Sequence, residues 1–479
     1  MDFKGKNVGV LGLGVSGFWS AKLAKSLGAN VFLSSIDKNE LFATELANLE
    51  IETEFGNHSE RILSCELVIK SPGISNQASI IKSIKSKKIE VLGEMEFAYQ
   101  CSEIKIIAVT GTNGKTTVVS ILGDFLQNHF NVLVGGNIGV PFSQLVLENK
   151  LFEKNNYDFA ILEVSSFQSD DFKLFKPNIA LILNCKEDHL DIHKTFNEYR
   201  DAKFKLFKNM NKNDYAIYNS SENSIIDLFQ NLAEQTNVLP YSSIKGKSIY
   251  YIKDSLIVKD NEILKSNFNF LETSSFTFEK SQLILQSRND VENFIAISTI
   301  CLILKIPEKN IFNYLKKFQG LEHRFEIFKV VNQGNQKITF INDSKSTNGL
   351  SLQSALSNCF DIQLENICLV MGGRSKGIDY SEYFYFPLGR DHIQVFAYGE
   401  AANEIKENLL SSVNDKKQYP KVEIFELFSD AVKKAIEVAK GLKNGAVLLS
   451  PACSSFDQFK NYSDRGQKFK MIVREQYEY

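Results

Sequence analysis

The segment that most constrains this chain is Gly111-Thr112-Asn113-Gly114-Lys115-Thr116-Thr117. Before it, Ile106-Ile107-Ala108-Val109 predicts a buried strand; after it, Val118 to Leu126 predicts a helix. Glycines in such a loop let backbone N–H groups turn toward phosphate oxygens, and the helix N-terminus adds a favourable dipole. In that geometry Lys115 reaches the β- and γ-phosphates, and the Thr116 hydroxyl is offered to Mg2+. The motif is shortened: a full version has glycine where this chain has Val109. The loop by itself specifies phosphate binding and leaves kinase, ATPase and ligase open.

The surrounding pattern predicts an α/β fold of three domains, each on a mostly parallel sheet: 1–102 and 319–479 Rossmann-like, and 103–318 a P-loop ATPase unit. Residues 6–12 form a short apolar strand ending in glycine, and Gly17 to Leu27 has helical spacing with Gly28 as its stop. Phe159–Leu162 and Ile179–Leu183 are continuous apolar runs, as in a sheet covered on both faces. Residues 248–264 alternate and carry Asp260-Asn261, which suggests a hairpin turning there. Strands are expected at Ile338–Asn342, Ile367–Met371, Val395–Tyr398 and Ala446–Leu449, each ending in a polar cluster. In open α/β sheets ligands sit beyond such strand ends.

Charge narrows the function classes. Lys+Arg 55 against Asp+Glu 57 gives a formal charge of -2, so no global basic field is available for nucleic acid. The chain lacks an apolar run long enough to span a membrane, and its first residues lack a signal-peptide core. The seven cysteines are dispersed without a C-x-x-C pair, which predicts reduced, buried thiols and a cytoplasmic protein. The expected state is a monomer.

Polar residues at strand ends supply the remaining candidates. Glu163 follows the 159–162 strand and can reach Mg2+ from across a nucleotide. Asn184-Cys185-Lys186-Glu187-Asp188-His189-Leu190-Asp191 follows the next strand, and His189 beside two acids reads as a site residue. His193 reads as a surface residue, and Lys203, taken bare, as one lysine on a charged helix. Arg324 in Leu321-Glu322-His323-Arg324-Phe325-Glu326 is placed to reach ATP phosphates after domain closure. Asp343, Lys345 and Thr347, then Gly372-Gly373-Arg374-Ser375-Lys376-Gly377, then Ser450 to Phe459 offer cations and hydroxyls suited to an amino-acid-sized anion.

Together these segments resemble the Mur ligase family over nearly the whole chain, least in the hairpin region. Asn342-Asp343-Ser344-Lys345-Ser346-Thr347-Asn348 and Ser450-Pro451-Ala452-Cys453-Ser454-Ser455-Phe456-Asp457-Gln458-Phe459 resemble its D-glutamate-adding branch, and Gly136-Asn137-Ile138-Gly139 fits it too. The resemblance implies ATP-dependent joining of D-glutamate to UDP-N-acetylmuramoyl-L-alanine through an acyl phosphate, a step of peptidoglycan synthesis. It also implies roles. Gly111, Thr112, Asn113, Gly114, Lys115, Thr116 and Thr117 hold ATP; Asn293 touches the adenine side; Arg324, Asp343 and Lys345 meet ATP. Thr116 and Glu163 ligate one Mg2+, and His189 and carbamylated Lys203 a second. Lys115, His189, Lys203 and Arg324 are then the catalytic set. Lys345, Thr347, Lys376, Ser455, Phe456 and Tyr462 resemble the D-glutamate pocket, and Asn137 a contact to the muramoyl peptide.

Gly12-Leu13-Gly14-Val15-Ser16-Gly17 alone suggests a dinucleotide. The second strand, however, ends in Ser34-Ser35, where a dinucleotide binder places an acid, and Asp37 comes late. The family uses this turn for the UDP diphosphate, through Val15 and Ser16. Two positions depart from the family pattern. Arg374 stands where Gly-Gly-Asp is common, and Asn289-Asp290 precedes Asn293 where His-Asn often begins the segment. The alternatives are another amino-acid ligase of the family, a P-loop NTPase that forms no bond, and a noncatalytic UDP-sugar-binding module.

Overall fold

The computed structural model describes residues 3–137, 139–153, 155–187, 193–242, 250–253, 256–259, 277–279, 288–318, 320–334, 336–375, 377, 379–384, 389, 392–411 and 420–477. His189, Lys376 and Ile138 lie outside them.

The first sheet contains β1 (Asn7–Leu11), β2 (Asn30–Ser35), β3 (Glu52–Phe55), β4 (Leu67–Lys70) and β5 (Glu90–Gly93), all parallel, in the order β3-β2-β1-β4-β5. The second holds β6 (Ile106–Thr110), β7 (Val132–Gly136), β8 (Phe159–Glu163), β9 (Ile179–Ile182), β10 (Tyr215–Asn219) and β11 (Asn237–Tyr241), in the order β11-β10-β9-β6-β8-β7. Its β6 and β9 are buried at every residue, as continuous apolar runs require in a sheet covered on both faces. The phosphate-loop strand β6 pairs with β8 on one side and β9 on the other. The ends of three neighbouring strands therefore bring Thr110, Glu163 and the segment after Ile182 together.

A small sheet follows, of β12 (Tyr250–Lys253), β13 (Leu256–Lys259) and β14 (Thr277–Glu279). The hairpin is confirmed, but Lys253 pairs with Leu256, so the chain reverses before Asp260-Asn261. Alternation placed the strands; it carried no register.

The last sheet has β15 (Glu326–Gln333), β16 (Gln336–Asn342), β17 (Asn366–Gly372), β18 (Ile393–Tyr398), β19 (Lys421–Phe425) and β20 (Asn444–Leu449). Their order is β15-β16-β20-β17-β18-β19, with β15 antiparallel and the rest parallel. Buried apolar clusters cover both of its faces, around Leu356 and Ile405 on one and Ala435 and Phe469 on the other.

The chain divides into two compact units, Met1–Phe278 with Glu292–Phe312, and Glu279–Val291 with Asn313–Tyr479. The first two sheets share one core, from Phe3 and Val8 through Phe97, Phe142 and Phe175 to Leu232. Polar groups seal that junction. Glu96 accepts the N–H groups of Lys173, Leu174 and Phe175, each at 3.0 Å, and Lys70 pairs with Asp171 at 2.6 Å with both side chains buried. Desolvation of a buried pair offsets much of its attraction, so what the pairing chiefly does is keep either charge from being buried alone.

Candidate active site

Gly114 closes the phosphate loop with φ 85°, a left-handed turn that favours glycine, and the helix Lys115–Leu126 starts immediately after it. The helix begins three residues earlier than apolar periodicity indicated, because Lys115, Thr116 and Thr117 form its polar first turn. The first-turn amides lack intrahelical acceptors, which is what an anion there uses. The loop is held from behind by Asn184. Its Oδ1 accepts Thr112 N–H at 3.0 Å and Asn113 N–H at 2.8 Å, and its Nδ2 donates to Asn113 O at 3.1 Å.

Thr116 Oγ1 donates to Glu163 Oε2 at 2.6 Å, and Asn137 Nδ2 donates to Glu163 Oε1 at 3.2 Å. Glu163 is buried. The carboxylate and hydroxyl expected to share a cation are thus adjacent, and both offer oxygen, the donor Mg2+ prefers. Asn293, on the helix Arg288–Ile303, stands over the loop: a Cβ built on Gly114 would lie 3.0 Å from its Oδ1.

Lys115 Nζ donates to Gly111 O at 2.7 Å and Thr112 O at 2.9 Å, and Lys203 Nζ donates to the same Gly111 O at 3.0 Å. Lys203 is only 2% exposed, with its ammonium 4.5 Å from the Tyr199 ring centre. Its helix composition suggested a surface lysine; the fold turns it inward. His193 likewise corrects its expectation. It is buried, bonds Ser166 Oγ through Nε2 at 3.1 Å, and stacks on Phe167. Tyr199, which sequence reasoning left unassigned, hydrogen-bonds Thr112 Oγ1 at 3.2 Å. Aromatics on a charged helix carry no local signal of such a role.

In the first sheet, Val15 is exposed and Ser16 half-buried, both in the first turn of the helix Val15–Ser26. That helix starts two residues before Gly17.

In the second unit, four parallel strand ends converge on one side chain that sequence reasoning also missed. Arg465 is fully buried on the helix Tyr462–Tyr477. It donates to Ser344 O at 2.8 Å, Ser344 Oγ at 3.0 Å, Cys453 O at 3.2 Å and the Tyr398 hydroxyl at 3.2 Å. Those groups follow or end β16, β20 and β18, and a longer 3.5 Å contact reaches Gly372 O on β17. Five N–H donors in a fixed fork suit this task. Gly373 lets the loops close, since a Cβ there would lie 2.2 Å from Ser454 O.

Around this clamp, Asp343 accepts Phe325 N–H at 3.1 Å and the Ser450 hydroxyl at 3.0 Å. Desolvation pushes its carboxyl up to about 7 against these bonds and the nearby Arg324 charge. Lys345 lies over the Tyr462 ring at 5.0 Å, Thr347 is half-buried, Ser455 is buried and Phe456 is exposed. Arg374, the departure from the family pattern, is committed on the surface to Glu400 at 3.4 Å and Phe456 O at 3.3 Å. All seven cysteines are free and buried. Among the described residues, no helix is long and apolar enough to cross a membrane.

Comparison with known proteins identifies the family. The MurD N-terminal domain model matches residues 7–80, and the Mur ligase middle domain model matches residues 109–301. The chain belongs to the Mur ligase family. Full-length relatives include the UDP-N-acetylmuramoylalanine--D-glutamate ligases of Thermoanaerobacter pseudethanolicus, 36% identical with 99% of both chains covered, and of Caldanaerobacter subterraneus subsp. tengcongensis, 35% identical over the same shares. Among solved structures, the MurF ligase of Thermotoga maritima in complex with ADP aligns over 100% of this chain and 96% of its own, at 15% identity and TM-score 0.53, a likeness of fold.

Proposed function

We propose that this chain joins D-glutamate to UDP-N-acetylmuramoyl-L-alanine, using ATP, as a cytoplasmic monomer in peptidoglycan precursor synthesis. The observation that carries the reading is the meeting of Lys115 and Lys203 on one carbonyl oxygen, beside the Thr116–Glu163 pair. The division into domains at 1–102, 103–318 and 319–479 goes with it.

A free carboxylate is a poor acyl donor because its oxygen is a poor leaving group. The substrate carboxylate therefore attacks the γ-phosphate, ADP departs, and the amine of D-glutamate displaces phosphate from the acyl phosphate. The chain's part is positioning and charge neutralisation. The loop amides and Lys115 hold the nucleotide phosphates, and Asn293 meets the adenine side. Val15 and Ser16 hold the UDP diphosphate, and Asn137 the muramoyl peptide. Thr116 and Glu163 would hold Mg2+, which supplies positive charge at the transferring phosphoryl group.

Lys203 would offer an oxygen donor to a second Mg2+, together with His189, only as a carbamate. The geometry favours that change: two ammonium groups on one carbonyl repel, whereas a carbamate beside Lys115 attracts. In the second unit Arg324 and Asp343 serve ATP, Lys345 serves both ATP and the amino acid, and Thr347, Lys376, Ser455, Phe456 and Tyr462 receive D-glutamate.

Phosphate release from ATP, Mg2+ and UDP-N-acetylmuramoyl-L-alanine tests this, with D-glutamate, L-glutamate, L-alanine or diaminopimelate offered in parallel. Turnover with D-glutamate alone is expected. Turnover with another amino acid reassigns the pocket, and hydrolysis indifferent to every acceptor overturns ligation.

A further inference from the structure

Two polar side chains of the first sheet and one from the loop after β3 meet in an arrangement that the proposed reaction leaves unused. Ser34, near the end of β2, is the register partner of Glu54 on β3. Ser34 Oγ lies 2.6 Å from Glu54 Oε1 and 2.6 Å from His58 Nδ1. A serine hydroxyl has one proton. Given to the carboxylate, it leaves the Ser34 oxygen as acceptor, so His58 donates Nδ1–H and its tautomer is fixed. Burial lowers the His58 pKa, with Glu54 opposing, so the ring is neutral at neutral pH. Burial raises Glu54, but bonds from Ser34 and Ser59 outweigh this and hold it below the usual carboxylate range. Ser59 N–H also donates to Oε1, at 3.0 Å, and the Ser59 hydroxyl bonds the same carboxylate.

The cluster adjoins the glycine turn. Gly12 N–H donates to Ser34 O at 2.9 Å, and Leu13 N–H to Ser35 Oγ at 3.1 Å. Dinucleotide-binding sheets place an acid after β2 to receive ribose hydroxyls, with the pyrophosphate on the turn after β1. Here β2 ends in two serines, and the acid stands one strand over in the same row.

We propose that Glu54, held by Ser34 and His58, receives the ribose hydroxyls of the substrate's uridine and selects a ribonucleotide. The proposal rests on the reading that the Gly12–Gly17 turn holds the UDP diphosphate.

Calorimetric titration of the full chain with UDP and with 2′,3′-dideoxy-UDP tests both layers, in the wild type and in Glu54→Gln. The wild type should bind UDP about tenfold or more tightly than the dideoxy compound, the usual scale for hydrogen bonds to a charged group. Glu54→Gln should lose most of that gap while binding 2′,3′-dideoxy-UDP as the wild type does, which also reports that the variant is folded. Equal wild-type affinity for the two ligands overturns the assignment without any variant. A gap that persists in Glu54→Gln overturns it while leaving the diphosphate reading intact. A wild type that binds neither ligand overturns the diphosphate reading and the assignment with it.

Discussion

Asn184→Ala isolates what holds the phosphate loop ready for ATP. The Asn184 carboxamide makes three hydrogen bonds to Thr112 and Asn113. They are not equally exposed to the substitution, because Thr112 N–H also reaches the Asn184 backbone oxygen at 3.1 Å and keeps that acceptor. Asn113 loses a bond at its N–H and another at its carbonyl. At about 1 kcal/mol net per bond, and more where a group is left unsatisfied, the loss is about 2–3 kcal/mol. If it falls wholly on loop order, ATP affinity drops about 30- to 150-fold. Calorimetric titration with a non-hydrolysable ATP analogue reads this directly, and in turnover KM for ATP should rise with little change in kcat. Asn184→Asp is the contrast. It still accepts both N–H groups and loses only the donor to Asn113 O, so thermal stability should fall less than in Asn184→Ala, but its negative charge beside bound phosphates should weaken binding further. An ATP KM within about twofold of wild type in Asn184→Ala would refute the reasoning, since the three bonds would then carry no share of loop order.

Other perturbations separate the remaining parts. Lys203→Ala should cut turnover by about 10²- to 10³-fold, with partial rescue by added short-chain carboxylate; wild-type-like turnover removes the carbamate role. Asp343, raised to about 7, holds its proton in the folded state between about pH 4 and 7 while the unfolded chain has lost it, so its contribution to stability falls as pH rises through that window. Asp343→Asn should remove about 2–3 kcal/mol of the stability difference between pH 5 and pH 8, roughly two pH units of linkage at 1.36 kcal/mol each, in denaturant titrations at those two pH values; an unchanged difference would count against the shift. Arg465→Leu strips donors from Ser344, Cys453 and Tyr398 and should destabilise the second unit by about 3 kcal/mol or more, which thermal unfolding reads and near-native melting would contradict.

The local part of this protein is written in short stretches of sequence. A strand, a glycine loop and a helix at 106–126 need only neighbouring residues to form, so the phosphate site was legible from Gly111 to Thr117. The same holds for Glu163, a carboxylate that ends an apolar run, and for the family to which these motifs belong. The hairpin showed in alternation, but its register did not, because period two carries no count of where pairing begins. Burial of polar residues was the other gap. Lys203 on its charged helix and His193 in the loop before that helix look like surface residues, and Arg465 sits in a charged run; nothing adjacent in sequence to any of them reports that another strand end closes over it. Glu54 is further still, since its partner Ser34 lies twenty residues back and meets it only through the β2–β3 register. The sequence by itself determined which elements form and which chemistry they carry. Only the tertiary structure decided which polar groups leave water together, because desolvation and hydrogen-bond partnership depend on contacts between segments distant along the chain.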